Sequence, residues 1–311
     1  MRIALIDCGT NTFNLLIVEL NNDKSFETIF STSVSVKLGD STINKGYISA
    51  NSFQRGIKTL NDFRENINKF QVQKTLAYAT SAIRDAKNKE DFINKVYLST
   101  QIQLDVIDGD RESDLIYKGV KSALSLKKSN SLIMDIGGGS IEFILANIHG
   151  VLWKQSFSIG VARLNQKFIH SDPIKLNEIK LIYNYLNQEL LPLFEAVKKF
   201  PPIELIGSSG VFESIIELIH FEFNGDKLVD SKNEYHINFD LFINIFKIIL
   251  NSTLDQRAKL KGLINMRIDT IVISCLMIDF ILNSFSLKCI RMTTFSLKEG
   301  ALFELMEKNS N

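Results

Sequence analysis

Residues 132–146, LIMDIGGGSIEFILA, decide the fold of this chain. An apolar run ends at Asp135, a turn of three glycines and a serine follows, and a second apolar run begins at Ile141. Residues 3–18, IALIDCGTNTFNLLIV, repeat the same order of strand, Asp-x-Gly turn and strand. The repetition predicts a duplicated domain and not a short-period array. Chance is the alternative, because strand-turn-strand segments with Asp and Gly are common.

The rest of the chain alternates between strand and helix patterns. The opening strands are expected at 2–6, 13–20 and 28–38, and a helix with one apolar face follows from Phe53 to Phe70. Strands alternating with helices are typical of an α/β domain. Later strands are expected at 75–79, 102–107, 132–134, 141–147, 151–157 and 203–206, and later helices at 179–197, 211–220, 240–250, 267–282 and 297–308.

Length and charge set limits on the class of protein. At 311 residues the chain is longer than a single hydrophobic core usually grows, so two domains are expected. Its 36 Lys and Arg residues nearly balance 35 Asp and Glu residues, which argues against nucleic acid or a membrane surface as a partner. Three distant cysteines suit a reducing compartment, and no apolar run is long enough for a signal peptide or a membrane span. A cytoplasmic protein is expected.

The two turns are candidate phosphate-binding loops. In the first, residues 7–12, Gly9 permits a sharp turn while Thr10, Asn11 and Thr12 bring short polar groups and N–H donors together. A plain hairpin turn would look much the same. In the second, successive glycines are conformationally costly and are tolerated where a ligand approaches the backbone. The candidate residues of this second loop are Gly137, Gly138, Gly139 and Ser140.

Acidic side chains beside these loops suit a hard cation. Asp135 ends its strand, and Glu142 lies on the next one. Because Mg²⁺ prefers oxygen ligands, both are predicted metal ligands, together with Asp7. An outward-facing position is the alternative for Glu142. The glycines lead into a strand and no GxxxxGK[ST] occurs, so neither loop is a Walker loop or a dinucleotide fingerprint.

Two segments between the loops supply further candidates. Arg84, in ATSAIRDAKN at 79–88, follows a buried strand, where it could hold a phosphate through two hydrogen bonds; an exposed helix arginine is the alternative. Segment 106–120, VIDGDRESDLIYKGV, opens a helix with three acids. These acids either complement the positive end of the helix or include a general base. They are Asp110, Glu112 and Asp114.

Together these segments resemble the exopolyphosphatase / guanosine pentaphosphate phosphohydrolase family, within the wider group of actin-like, sugar-kinase-like and Hsp70-like folds. The resemblance runs over nearly the whole length and is carried by the two loops, the arginine segment and the acidic segment. It also includes SFSIGVARL at 156–164, IGSSGVFESI at 206–215, GLINMRIDTI at 262–271 and TTFSLKEGAL at 293–302.

The resemblance implies an α/β protein of duplicated actin-like (ribonuclease H-like) domains with the active site in the cleft between them. The expected domains are 1–125 and 126–311, with a hinge near 121–130, and the helix at 297–309 is expected to return to the first domain. By position, Glu112 resembles the catalytic glutamate and Arg84 the phosphate-gripping arginine. Ser208 and Ser209 of the GSSG turn join the predicted phosphate-binding residues.

The chain also departs from the family pattern at several positions. Thr10 and Thr12 stand where serine is common, which preserves the hydroxyl. Asn14 stands where a basic residue is frequent, so an anion contact is lost. Arg111 replaces a frequent second acid, which leaves Glu112 as the expected base. Val211 stands where Thr or Ser is usual, and it puts a hydroxyl contact after the GSSG turn in doubt.

The function implied by the resemblance is Mg²⁺-dependent removal of the terminal phosphate from inorganic polyphosphate or guanosine pentaphosphate. In this reaction Glu112 activates water for in-line attack. Two alternatives stay open, because the fold also serves other reactions: a guanosine tetra- or pentaphosphate-binding regulator without turnover, and a small-molecule kinase. A homodimer is left open, and neither nucleic acid nor a membrane is expected as a partner.

Overall fold

The computed structural model describes residues 1–21, 25–40, 42–208, 210–225 and 233–308 of the chain, as two sheets flanked by helices. The strands are β1 (Arg2–Cys8), β2 (Thr12–Leu20), β3 (Phe26–Ser35), β4 (Lys74–Ala79), β5 (Asp105–Val106), β6 (Asn130–Ile136), β7 (Ile141–Asn147), β8 (Gly150–Phe157), β9 (Pro202–Ser208), β10 (Glu234–Ile237) and β11 (Cys289–Thr293). The helices are α1 (Ala50–Lys69), α2 (Ser81–Arg84), α3 (Lys89–Thr100), α4 (Gly109–Ala123), α5 (Val161–Phe168), α6 (Leu176–Glu189), α7 (Leu191–Lys199), α8 (Gly210–Ile219), α9 (Phe239–Asn251), α10 (Leu254–Arg257), α11 (Ile271–Ser284) and α12 (Leu297–Lys308).

The first sheet has the strand order β3-β2-β1-β4-β5. β1 lies at its centre, antiparallel to β2 and parallel to β4, and is buried along most of its length. A strand covered on both faces needs an almost continuous apolar run, which β1 provides up to Asp7. At that point Asp7 lies opposite Asn14 on β2 and Tyr78 on β4. Asp7, which ends this apolar run, therefore stands near the carboxyl end of β1, where open α/β sheets collect ligands.

The second sheet repeats this topology. Its order β8-β7-β6-β9-β11 matches that of the first sheet with the same antiparallel and parallel pairings, and β10 is added antiparallel to β11 at one edge. Asp135 lies opposite Glu142 on β7 and Ser208 on β9, as Asp7 lies opposite Asn14 and Tyr78. The predicted α/β fold of two duplicated units is confirmed.

Some element boundaries differ from the sequence prediction. The helix predicted at 179–197 is two helices, α6 and α7, because the chain turns at Leu190 and Pro192 follows in the first turn of α7. The strand predicted at 102–107 is reduced to the two residues of β5. The helix predicted from residue 267 begins at Ile271, after a 3₁₀ turn. No helix in the described part of the chain is both long enough and apolar enough to cross a membrane.

We call the elements from β1 to α4 the first half of the protein and those from β6 to α12 the second half. The C-terminal helix α12 nevertheless packs against α4 and β1 of the first half. The two helices approach each other through glycines: a Cβ on Gly300 would lie 1.8 Å from the Leu115 carbonyl oxygen, and one on Gly119 would lie 2.2 Å from the Ser296 carbonyl oxygen. Apolar residues from both sheets and both helices form a shared core there. The domain boundary between residues 125 and 126 and the hinge near 121–130 stay predictions.

Candidate active site

The two Asp-x-Gly turns, called the first and second glycine loops from here on, make the same backbone hydrogen bond. The first, residues 7–12, joins β1 to β2, and the Gly9 N–H donates to the Thr12 carbonyl oxygen at 3.1 Å. The second, residues 135–140, joins β6 to β7, and the Gly137 N–H donates to the Ser140 carbonyl oxygen at 3.0 Å. Each loop thus stands at the carboxyl end of the central strand of its sheet.

The tips of these loops meet across the cleft. A Cβ on Gly138 would lie 2.8 Å from the Thr10 Cβ, and one on Gly139 would lie 2.3 Å from the Ser81 Oγ. Real Cβ atoms do not approach other heavy atoms so closely. The sequence suggested that a ligand requires these glycines, but in the structure the opposite half of the protein already requires them. Their role in phosphate binding stays a prediction.

A cavity of about 380 Å³ lies between the two halves. Most of the residues predicted from the sequence line it, with hydroxyls of Thr80, Ser81 and Ser296 beside them. Two predicted residues, Arg84 and Ser208, are not among its lining residues, and Ser209 lies outside the described residues. The predicted residues that the structure brings together here are Asp7, Gly9, Thr10, Asn11, Thr12, Glu112, Asp135, Gly137, Gly138, Gly139, Ser140 and Glu142.

Glu112 is a buried carboxylate on α4 and does not cap that helix. The cap is Asp108, whose side chain accepts a hydrogen bond from the Arg111 N–H at 2.8 Å. Glu112 is only 7% exposed. Burial, and then the nearby Glu142 carboxylate, hold the pKa of Glu112 well above its ordinary value, while Arg84 acts in the opposite direction. A carboxyl group in this environment is a stronger base than an exposed glutamate.

Arg84 is bonded to Glu112 and is not among the residues that line the cavity. Its Nη1 donates to Glu112 Oε2 at 2.9 Å and to the Ile107 carbonyl oxygen at 3.2 Å, and its Nε lies 3.4 Å from Asp85 Oδ1. Burial lowers the pKa of the guanidinium, but Glu112, and then Asp85 and Glu142, together more than offset this, so the pKa is raised. Arg84 remains charged and fixes the position of Glu112.

The other three acids have hydrogen-bonded carboxylates. Asp135 accepts from Ser208 at 2.9 Å and from the Ser296 hydroxyl, and Glu142 accepts from Ser156 at 2.6 Å. Burial and the Asp135 charge raise the pKa of Glu142 to about 7. Burial raises the pKa of Asp7 to about 6, although Asn14 donates to it at 3.0 Å. A site that raises carboxylate pKa values to this extent favours the binding of positive charge.

Three charged residues that line the cavity are not predicted from the sequence: Glu213, Arg267 and Lys298. Lys298 lies 3.0 Å from Glu299, and Arg267 donates to the Ser214 hydroxyl at 2.7 Å beside Glu213. Burial lowers the pKa of Lys298, but Glu299 and then Asp7 more than offset this. Both cations lie in segments that carried the family resemblance, at 262–271 and 293–302, which is the signal that could have identified them.

Comparison with known proteins places the site in a family. The crystal structure of an exopolyphosphatase from Cytophaga hutchinsonii superposes with a TM-score of 0.95 at 36% identity, covering 99% of this chain and 98% of the other. A Ppx/GppA family member from Aquifex aeolicus, at 24% identity and a TM-score of 0.81, has the same fold over 100% of this chain and 99% of its own. These similarities, together with the acidic cleft lined by both loops, place the chain among the phosphatases. The model of the Ppx/GppA phosphatase family matches residues 16–309, and the chain belongs to that family.

Curated relatives show the same relationship. Exopolyphosphatase 1 of Mycobacterium tuberculosis is 24% identical over 312 residues, covering 100% of this chain and 90% of the relative. The bifunctional 3-dehydroquinate synthase/phosphatase of Fusobacterium nucleatum is 31% identical over 324 residues. That match covers 98% of this chain but only 46% of the longer relative. The prediction that the chain is an enzyme of the phosphatase class is confirmed.

Proposed function

We propose that the chain removes the terminal phosphate of inorganic polyphosphate, with Glu112 as the general base. The observation that carries the proposal is the position of Glu112, a buried carboxylate that lines the cavity between both glycine loops and is held by Arg84 at 2.9 Å. Relatives that bear the name exopolyphosphatase, including one whose structure is 36% identical, support polyphosphate as the substrate class.

The reaction uses groups that already surround the cavity. Backbone N–H groups of the two loops and the side chains of Lys298 and Arg267 bring positive charge to an anionic substrate. Glu112 accepts a proton from a water molecule while the water oxygen forms a bond to the terminal phosphorus. The bond from that phosphorus to the bridging oxygen breaks, and this oxygen leaves with the electron pair on the shortened chain. The products are orthophosphate and a polyphosphate that is one unit shorter.

The acids of the cavity fit a divalent cation, on which phosphatases of this family generally depend. Asp7, Asp135 and Glu142 provide hard oxygen donors. Within the described residues, no group of three or more His, Cys, Asp or Glu side chains is close enough to form a complete cage. Mg²⁺ is commonly bound by one or two carboxylates together with water and substrate phosphates, so this donor set suits it. When bound, the cation would neutralise charge on the phosphates.

Arg84 contributes to this reaction through Glu112. Its guanidinium is already bonded to Glu112 and to the Ile107 carbonyl oxygen, and it is not among the residues that line the cavity. We therefore assign Arg84 the role of orienting the base. The direct grip on phosphate that the sequence suggested stays a prediction, and it would require the guanidinium to reach the cavity.

The decisive test is Glu112→Gln, assayed by orthophosphate release from polyphosphate of defined length with Mg²⁺ and with excess EDTA. Glutamine preserves the shape of the side chain but cannot take the proton, so we expect a loss of about 10²- to 10⁴-fold in kcat. The matched control is Asp110→Asn, because Asp110 lies on the same first turn of α4 with a side chain that is 74% exposed. A folded Glu112→Gln protein that is as active as Asp110→Asn would contradict the assignment.

The same assay separates the alternative substrates and functions. Guanosine pentaphosphate is tested beside polyphosphate, and its hydrolysis stays a prediction. The relevant structural feature is Asn14, which bonds Asp7 at 3.0 Å and Ser33 at 2.7 Å and offers no positive charge to a nucleotide phosphate. Phosphate transfer that requires an added acceptor would identify a kinase, and binding without release would identify a regulator. The homodimer also stays a prediction, to be checked by light scattering.

A further inference from the structure

Arg163 is an arginine that crosses the cleft without lining the cavity. It lies on α5 of the second half, with a side chain that is 15% exposed. Its Nε donates to the Gly139 carbonyl oxygen at 2.8 Å within its own half. Its Nη1 donates to the Ile43 carbonyl oxygen at 3.2 Å, and its Nη2 donates to Asp85 Oδ2 at 2.6 Å, both in the first half. With the Ser81 Oγ at 3.5 Å from Nη2, one planar side chain therefore holds four acceptors in a spread geometry that the compact ammonium group of lysine does not reproduce.

Asp85 connects this arginine to the proposed catalytic pair. Its Oδ2 accepts from Arg163, and its Oδ1 lies 3.4 Å from the Nε of Arg84. Arg84 in turn donates to Glu112 at 2.9 Å. A continuous series of charge-assisted contacts thus runs from α5 of the second half to the buried carboxylate on α4. Such contacts are stronger and more directional than neutral hydrogen bonds.

The Nε of Arg163 restrains the second glycine loop. The C=O and N–H groups of a trans peptide point in opposite directions, so holding the Gly139 carbonyl oxygen also sets the direction of the Ser140 N–H. The Gly160 N–H donates to the same oxygen at 3.2 Å. Glycine backbones are otherwise free to rotate, and a loop that must present N–H groups to phosphate needs such restraint.

We propose that Arg163 is a positioning residue that locks the second glycine loop to the Arg84–Glu112 pair, so that the loop and the base are aligned only when the two halves are together. This inference rests on the proposed function, because it takes Glu112 as the base. Arg163 itself does not contact the substrate. Its loss should therefore lower kcat far more than it raises KM.

The test combines Arg163→Gln, Asp85→Asn and the double variant, with steady-state phosphate release from polyphosphate. A misplacement of catalytic groups by about 1 Å costs on the order of 10²-fold, so we expect each single variant to lose about 10- to 100-fold in kcat with KM changed less than about threefold. Because both substitutions break the same contact, the kcat of the double variant should lie within about threefold of the kcat of the less active single variant. Arg163→Lys keeps the charge but not these hydrogen bonds, and should fall between wild type and Arg163→Gln.

Arg257→Gln is the matched control. Arg257 also holds two carbonyl oxygens and one aspartate, at Ile268, Ser252 and Asp172, but all of these lie within the second half. Urea unfolding confirms that each variant is folded, and Arg163→Lys replaces Arg163→Gln if the latter is not. A loss of kcat in Arg163→Gln no greater than in Arg257→Gln, or losses that multiply in the double variant, would overturn the role of Arg163.

Glu112→Gln in the same series distinguishes this failure from failure of the proposed function. If Glu112→Gln is inactive while Arg163→Gln matches the Arg257→Gln control, only the role of Arg163 is overturned. If Glu112→Gln is fully active, the proposed function fails, and the positioning role fails with it.

Discussion

The loops at residues 7–12 and 135–140 occupy equivalent positions in their sheets, but they differ at their tips. Where the first loop has Thr10 and Asn11, the second has Gly138 and Gly139. The structure explains the asymmetry, because the side chains of the first loop occupy the space into which side chains of the second would extend. Where the two loops meet, there is room for the side chains of one loop tip only. The two copies of the duplicated unit therefore cannot have the same residues at these tip positions.

Among the substitutions that test this comparison, exchanging tip residues between the loops is expected to give the largest effect. Gly138→Thr places the first-loop residue in the second loop, where its Cβ would start 2.8 Å from the Cβ of Thr10. We expect about 100-fold lower kcat, because the loops must separate. The reciprocal Thr10→Gly removes the whole hydroxyethyl side chain and creates no clash, and a lost hydrogen bond to a charged phosphate corresponds to roughly tenfold. Phosphate release measures both, and equal losses would contradict this account of the asymmetry.

The parts of the site that the sequence predicted are those with a local pattern. Asp7 and Asp135 each end an apolar run and precede a glycine, so the strand, the turn and the position of the acid follow from a few neighbouring residues. The equivalent topology of the two sheets follows in the same way. Helix α1 was also predicted, because its apolar residues recur with helical spacing.

What the sequence did not predict depends on residues far apart in the chain. Arg84 and Glu112 are 28 positions apart, and nothing local indicates that one orients the other. β11 contains a charged residue, Arg291, whose burial depends on Glu204 and Glu234 in other strands. The contact of Gly138 and Gly139 with the opposite half exists only after both halves have folded. The sequence pattern therefore suggests only the approach of a ligand as the reason for three successive glycines.

The sheets also differ at the other end of their central strands. In the first sheet Lys74 pairs with Ile3 and is exposed, whereas at the equivalent register position of the second sheet Glu204 pairs with Ser131 and is fully buried. Glu204 receives two hydrogen bonds from Arg291, at 2.7 and 3.0 Å, and one from the Ser131 hydroxyl at 2.7 Å. The second sheet therefore has a buried charge where the first sheet reaches solvent.

Neutralising that buried charge should give the second largest effect. Glu204→Gln leaves Arg291 with a neutral partner in the interior, and we expect the free energy of unfolding to fall by about 2 kcal/mol. Urea denaturation measures the change. Glu195→Gln is the control, because its pair with Lys198 is more than two thirds exposed, and we expect no measurable change. Similar losses of unfolding free energy in both variants would show that the buried pair contributes no more stability than the exposed pair.

The smallest effect concerns the contact that joins α12 to α4. Glu304 accepts from Arg111 through both carboxylate oxygens at 2.7 Å, and Lys118 and Lys308 also donate to it. The hydrogen bonds from Arg111, partly opposed by burial, hold the pKa of Glu304 well below its ordinary value of 4.5. Because the carboxylate is stabilised in the folded state, it contributes stability above pH 4.5, and this contribution is lost as the pH falls further.

Glu304→Gln should therefore lower the free energy of unfolding by roughly 1 kcal/mol at pH 7, a modest value because Arg111 is partly solvated. The difference between variant and wild type should shrink as the pH falls from about 5 towards 2, because the wild type then loses the contribution that the variant never had. Urea unfolding at a series of pH values measures this slope. Glu307→Gln is the control, since Glu307 is 70% exposed and lies 3.5 Å from Lys118. The unfolding free energy of this variant should fall at acid pH as that of the wild type does. A Glu304→Gln protein whose pH dependence is identical to that of the wild type would show that α12 is held to α4 by apolar packing at Gly119 and Gly300 without help from this ion pair.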